Sequence, residues 1–369
     1  MIQRWWILPA STVLMLSRAI GADLPRKTPS PNVPAEKFYK NIQVFQGLPS
    51  TEIMPAMNFM ANSLGVKCSY CHVTNDTGRW PVELDDKAAK GRAREMIRMT
   101  REINKANFKG KLEVTCATCH HGSNDPVSTP PLQAESASSH PAGHAPSPVA
   151  APSVDAVLDR YTAAVGGRAA IEKIRNRRIQ GTFTGGDGEP LPIEITQTVA
   201  GQYRSSVAVQ DGAFTLVFDG NAGTSGGPSW NNPMPPDEVE RIRARALLFP
   251  AADLKARFPA LAVRGSEKID GRDAWLVAGR AADGARMSFW FDAQTGLLVR
   301  TLRRQRTALG DIPEQADFSD YREVDGVKVP FTIRHTAPDR GDTVKAAEIA
   351  QNVETPPSLF TVPAPGKQP

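Results

Sequence analysis

A chain of 369 residues is long enough for two domains, and its 44 basic against 39 acidic residues leave a net charge of only +5. A balance that modest gives no support to nucleic-acid binding. Beyond the amino terminus no stretch is long and apolar enough to cross a bilayer as a helix.

The chain opens with an export pattern. Arg4 gives a short positive region, Trp5 to Leu16 is an apolar run of signal-peptide rather than membrane-spanning length, and Ala19 to Ala22 offers small residues for cleavage. Residues 1–22 therefore read as a signal peptide removed near Gly21 or Ala22. Left uncleaved, the same run would serve as an amino-terminal anchor. No cysteine stands near the cleavage region to be acylated.

The first helix begins after Ser50 or Thr51, which can cap it. Ile53, Met57, Met60 and Leu64 recur at helical spacing, Pro55 falls near the first turn, and Gly65 is placed to stop it. Met54, Met57 and Met60 step by three residues, about 60° apart around a helix, so all three lie near one face. Geometry alone does not choose among them.

Cys68-Ser69-Tyr70-Cys71-His72 follows directly, and it recurs as Cys116-Ala117-Thr118-Cys119-His120. Between them the two copies use all 4 cysteines. C-x-x-C-H is the attachment pattern of c-type haem: the sulfurs become thioethers to the porphyrin, and the histidine ligates iron. A thioredoxin-like pair or a four-cysteine zinc site also uses short cysteine spacings, but neither needs a histidine after both pairs. A disulfide across two residues would staple almost no chain. Two covalently bound haem c groups follow, and haem attached outside the cytoplasm agrees with the export segment.

A second helix runs from about Asp86 to Asn107. Its inward stripe is Ala89, Ala93, Met96, Thr100 and Ile103, with Met99 on the border. Lys87, Lys90, Arg94, Arg98, Arg101 and Lys105 make a basic stripe roughly 120 to 200° from Met96. That stripe reads as a solvated face, with docking of an acidic redox partner as the second reading. Each motif is thus preceded by a helix able to supply a thioether opposite the histidine, the Met/His pair that raises reduction potential.

These residues resemble a family. Asn41-Ile42-Gln43-Val44, the Met57 helix, Leu64-Gly65-Val66-Lys67-Cys68, the run Ala93 to Asn104 and Val114-Thr115-Cys116 are similar to the cytochrome c subunit of photosynthetic reaction centres, over about Lys40 to Gly122. In that family the methionine ligand comes from the helix before each motif. The resemblance implies Met57 for the haem on His72 and Met96 for the haem on His120. The family's subunit carries four haems and this chain has motifs for two, so it resembles half of that subunit. His121 stands where the family commonly has arginine, and Asn104 to Gly110 holds no distal histidine. Adjacent histidines do not easily reach opposite faces of one ring, so His121 reads as solvent-facing or bonded to a propionate.

From Ser123 to Pro152 the chain is rich in Pro, Ser and Ala, which is a linker composition. His140 and His144 lie inside it, and Pro141 and Gly143 argue against a helical metal site there. Ser153 then caps a helix to about Val165, stopped by Gly166-Gly167. Short alternating runs follow at 178–184, 193–199, 202–209, 214–218, 275–278, 287–291, 297–303 and 327–336, with one helix at 237–249. Residues 292–296 and 324–326 read as hairpin turns, as do Gly185-Gly186, Asp187-Gly188 and Gly226-Gly227. The run Phe289 to Val299, with Phe318 to Arg322 and Pro330 to Ile333, resembles the half-barrel of outer-membrane lipoprotein-sorting proteins. That resemblance implies a curved sheet holding lipid acyl chains, against an ordinary aromatic core as the plain alternative.

The expected molecule is multidomain: a signal peptide at 1–22, a mostly α dihaem cytochrome c domain at 23–122, a linker at 123–152, and an α+β domain with an antiparallel curved sheet at 153–369. The expected function is a periplasmic electron carrier working between redox protein partners, not an enzyme. Cys68, Cys71, Cys116 and Cys119 hold haem, and His72, His120, Met57 and Met96 ligate iron. Two rivals stand: a dihaem peroxidase, which needs one five-coordinate iron, and a carrier of a lipid or quinone-like ligand through the half-barrel.

Overall fold

The computed structural model describes residues 29–73, 81–126 and 151–362, save 187, 229, 282–283 and 339. The expected signal peptide, most of the linker, and His140 and His144 lie outside the described residues.

The amino-terminal part is built on helices. After the short α1 (Ala35–Phe38), α2 covers Ile53–Leu64, α3 covers Ala88–Phe108 and α4 is the second cysteine motif itself, Cys116–His120. Gly65 ends α2 in the left-handed region at φ 64°, as its position predicted. Ser50 does not cap α2. It is buried and exchanges hydrogen bonds with the Ser30 backbone at 2.8 and 2.9 Å, tying down the chain ahead of the helix. The buried face of α2 is Ile53, Pro55, Ala56, Phe59 and Ser63, with Met57 and Met60 half-buried beside it.

On α3 the predicted inward stripe is displaced by one residue. Ile97, Thr100 and Asn104 are buried, while Met96 is 42% exposed and Met99 44%. The rotation has a physical cause: Lys90, Arg94 and Arg101 face the protein, where backbone oxygens and Asp85 satisfy them. Part of the basic stripe is therefore structural, contrary to its reading as a solvated face.

The carboxy-terminal part is one 13-stranded antiparallel sheet. Strands β1 (Asn176–Gly185), β2 (Leu191–Thr198), β3 (Tyr203–Val209), β4 (Gly212–Phe218), β5 (Gly223–Gly227) and β6 (Trp230–Pro233) run outward in order to one edge. Strands β7 (Ala262–Ile269), β8 (Arg272–Arg280), β9 (Arg286–Asp292), β10 (Leu298–Arg306), β11 (Asp311–Val324), β12 (Val327–Ala337) and β13 (Arg340–Gln351) start at the other edge and return to β1. The first strand thus pairs with the last, Arg177 opposite Gln351. A bulge between Gln180 and Gly181 interrupts that ladder, and a Cβ on Gly181 would stand 2.0 Å from the Lys345 carbonyl oxygen, so only glycine fits.

Two apolar clusters line the inner face. Helix α5 (Val154–Ala164), capped by Ser153 through a 3.1 Å bond from the Ala156 amide, sends Val157, Leu158 and Tyr161 onto Phe289 and Phe291. The short α6 (Arg168–Ile171) follows Gly166 and Gly167. The connection between the two sheet edges carries α7 (Pro236–Arg245) and α8 (Leu254–Arg257), which bury Ile242 over β1–β3 and Leu254 over β8–β9. Gly226-Gly227 is part of β5 and not a turn. The sequence pattern also passed over β6, β7, β11 and β13, whose polar or glycine-rich runs show little alternation.

The two parts touch. The tip between β10 and β11 places Leu309, 4% exposed, and Ile312, 9% exposed, in one apolar cluster with Phe45, Ile53, Ala56, Phe59 and Ile97. Phe291→Ala, which removes a buried ring packed edge-on against Tyr161 at 5.7 Å, is expected to cost about 3–5 kcal/mol, read as a lowered urea midpoint for the sheet.

Candidate functional site

Each cysteine motif forms one helical turn. In the first, Cys68–Tyr70 is a tight turn and the His72 amide donates to the Cys68 carbonyl at 3.0 Å. In the second, Thr115 and Thr118 form a capping box that starts α4, with the Thr115 amide donating to Thr118 Oγ1 at 2.9 Å. His121 ends that turn in the left-handed region at φ 51° and is exposed. A turn of helix puts cysteines three apart on one side and the histidine one step beyond, which is the disposition covalent haem needs.

The chemistry of these side chains fits haem better than the alternatives. No disulfide joins any of the four cysteines. Burial pushes the thiols of Cys71 and Cys116 above the ordinary range, the opposite of an activated redox pair. Among the described residues no group of three or more acidic, cysteine or histidine side chains is arranged to hold a metal ion by itself.

The two motif histidines sit in different settings. His120 Nδ1 lies 3.0 Å from the Ser123 carbonyl, so the ring donates there and keeps Nε2 as the lone-pair nitrogen. His72 Nδ1 is buried with no hydrogen-bond partner among the described residues. Burial first, then the Lys90, Arg94 and Lys87 charges, lower its pKa, while the Val82 backbone works the other way. Tyr70 in the first motif and Met96, Met99 and Phe108 on α3 are apolar side chains each 38 to 44% exposed.

Several residues that the sequence did not single out position the motifs. Asn104, 3% exposed, donates to the Val114 carbonyl at 2.6 Å and accepts from the Glu113 and Val114 amides at 3.1 and 2.9 Å, fixing the segment that leads into Cys116. Asp85 gathers Lys90 and Arg94, each at 3.0 Å, and their bonds, with Asn41, hold its carboxyl below the usual range. Lys90 also donates to the Val82 and Leu84 carbonyls at 2.8 and 2.6 Å, and Lys87, just ahead of α3, to the Ser69 carbonyl inside the first motif. The Gly122 amide donates to the Ser63 carbonyl at 2.9 Å, and a Cβ on Gly65 would stand 2.1 Å from the Gly122 oxygen. The end of α2 therefore rests on the end of the second motif. Met57 shares its apolar cluster with Cys116.

The inner face of the 13-stranded sheet lines a separate cavity of about 480 Å³. Ile195, Phe214, Phe289 and Phe318 give it apolar walls. Two ion pairs hold α7 across it: Arg241 to Glu314 at 2.9 Å and Arg245 to Asp342 at 3.3 Å, with His335 Nδ1 at 2.8 Å from Asp342. Burial, and then the Arg245 charge, push the His335 pKa down against the pull of Asp342 and Glu314.

Because the folded pKa of His335 lies below the unfolded value, the unfolded chain takes up the proton first. The His335 contribution is whole above about pH 6.5 and falls as pH drops toward the folded pKa. Asp342, whose pKa is also lowered, stays ionised through that window. A lower urea midpoint is expected near pH 5.5 than near pH 7.5 for the half-barrel, and His335→Gln should remove most of that difference.

Residues 17–150 match the family model described as the photosynthetic reaction centre cytochrome C subunit. The chain is 35% identical over 88 residues to cytochrome c-554 of Chloroflexus aurantiacus, covering 22% of this chain and 20% of that protein. It is 33% identical over 112 residues to the photosynthetic reaction center cytochrome c subunit of Rubrivivax gelatinosus, covering 26% of this chain and 28% of that protein. The match therefore spans about a fifth to just over a quarter of these relatives' length. Among solved structures, a LolA superfamily protein from Nitrosomonas europaea aligns at a TM-score of 0.41 with 10% identity, over 57% of this chain and 98% of that one. Over residues 17–150 this chain is similar to the cytochrome c subunits of photosynthetic reaction centres, and it carries a second, antiparallel sheet domain behind them.

Proposed function

We propose that the protein is an exported dihaem c-type cytochrome that passes single electrons between redox protein partners on the outer side of the cytoplasmic membrane. The observation that carries the reading is the pair of C-x-x-C-H turns, with His120 Nδ1 bonded to the Ser123 carbonyl and Nε2 left for ligation. The cytochrome relatives support it.

Haem c, when bound, supplies a one-electron iron couple and undergoes no net bond change. The chain's own residues do the rest. Cys68, Cys71, Cys116 and Cys119 anchor the two macrocycles, and His72 and His120 hold the irons on one side. Met57 and Met96 are proposed for the other side, and a thioether there favours the reduced state. Six ligands leave no position for substrate, which separates the carrier from the peroxidase. No described helix is long and apolar enough to cross a membrane, and export rests on the amino-terminal pattern.

A second reading concerns the sheet domain alone. Its cavity of about 480 Å³, lined by Ile, Val, Leu and Phe side chains together with charged ones such as Arg241, Glu314 and Asp342, suits a mostly apolar ligand with a polar end, such as a lipid or quinone-like molecule.

Full-length protein made in a host with cytochrome maturation is expected to be red and to exceed its processed chain mass by two haems. Cys68→Ala with Cys71→Ala should remove one of the two, and Cys116→Ala with Cys119→Ala the other, each read by mass and by the reduced absorption band. Colourless protein, or a high-spin ferric band with peroxide turnover in the intact chain, would count against the carrier.

A further inference from the structure

The β10–β11 hairpin is an odd object to find in a haem domain's core, since it belongs to a sheet more than two hundred residues further along the chain. Its tip is built to keep one shape. Thr307 Oγ1 donates to the Gly310 carbonyl at 2.8 Å and accepts from the Leu309 and Gly310 amides at 3.2 Å, while the Thr307 amide also donates to the Gly310 carbonyl at 2.8 Å. Asp311 at the base is gripped by Arg286, and by Arg306 at 3.5 Å. A turn tied this way reaches its neighbour already ordered, so little freedom is lost on docking.

The neighbour is Phe59 of α2. Gly310 has φ 155°, and a Cβ there would stand 2.3 Å from the Phe59 ring. Nothing larger than hydrogen fits between hairpin and ring. Leu309 and Ile312 enter the same cluster beside Ile53 and Ala56, one face of α2. Ile53 and Met57 are four residues apart, about 40° around a helix, so the hairpin packs on the face of α2 next to the side that carries Met57, and Met57 borders the same cluster.

We propose that Leu309, Gly310 and Phe59 are positioning residues for the Met57 thioether: the half-barrel hairpin is a backstop that sets how far α2 stands from the iron it ligates, and it shuts water out behind that helix. The proposal rests on the reading of Met57 as a ligand. Metal sites respond to such support because burial and the fixed position of an axial group both tune the potential.

The test uses the full-length, haem-loaded protein, with redox titration and the sulfur-to-iron absorption of the ferric form. Met57→Ala first assigns one haem's share of that absorption. Leu309→Ala and Gly310→Ala are then expected to weaken the same share and to lower the midpoint potential of that haem alone, with Leu309→Met restoring both. Gly271→Ala is the control, because it strains a turn at φ 79° on the β7–β8 hairpin where a Cβ meets nothing within 4 Å. It should leave both haems unchanged. If Gly310→Ala does not fold, Leu309→Ala with wild-type circular dichroism decides. Absorption lost in Met57→Ala but intact in Leu309→Ala and Gly310→Ala, with both potentials at their original values, overturns the hairpin's role alone. Absorption intact in Met57→Ala overturns the ligand reading, and the proposal falls with it.

Discussion

The buried face of α2 is the contact on which both parts of the molecule depend. Ile53, Ala56 and Phe59 receive Phe45 from the loop before the helix, Ile97 from α3, and Leu309 and Ile312 from the sheet domain. At its carboxyl end the same helix hands the Ser63 carbonyl to Gly122, just past the second motif. Burying a side chain the size of leucine or isoleucine contributes about 1.5–3 kcal/mol, so the two hairpin residues alone bring an interaction comparable to a large share of a small domain's stability. The haem part has few other large apolar side chains fully inside, and its core is correspondingly thin.

Around that thin core, cations do structural work. Lys87, Lys90, Arg94 and Arg101 reach from α3 to the carbonyls of Ser69, Val82, Leu84, Asn41 and Val44, and Arg101 also covers the Phe45 ring at 5.3 Å. Long basic side chains pack their stems and satisfy backbone oxygens in loops that have no ladder of their own. The remaining charges of the helix, Arg92 and Arg98 among them, stay exposed. A docking face for an acidic partner is therefore narrower than the sequence implied.

Much of this was legible before the structure. The motif pairs, the α2 stop at Gly65, the Ser153 cap, the 292–296 and 324–326 turns and most of the alternating strands follow from short-range chemistry. What escaped was whatever needed a distant partner. The rotation of α3 is decided by Asp85 and by loop carbonyls, not by the helix's own apolar pattern. Strands β11 and β13 are long and mostly polar because they lie at the middle of a sheet whose cavity is lined by Glu314 and Asp342 as well as by apolar residues. The same holds for Leu309, an unremarkable letter in a turn until Phe59 is placed against it.

The pairing of β1 with β13 has a temporal side. Ribosomes deliver a polypeptide from its amino end, and ladders between remote segments form late because a long loop must close first. Arg177 waits for Gln351, and Phe59 waits for Leu309, so the helices around the cysteine motifs acquire their last neighbours only when nearly the whole polypeptide has been made. During that interval the Ile53, Ala56 and Phe59 face of α2 lacks the cover that Leu309 and Ile312 later bring.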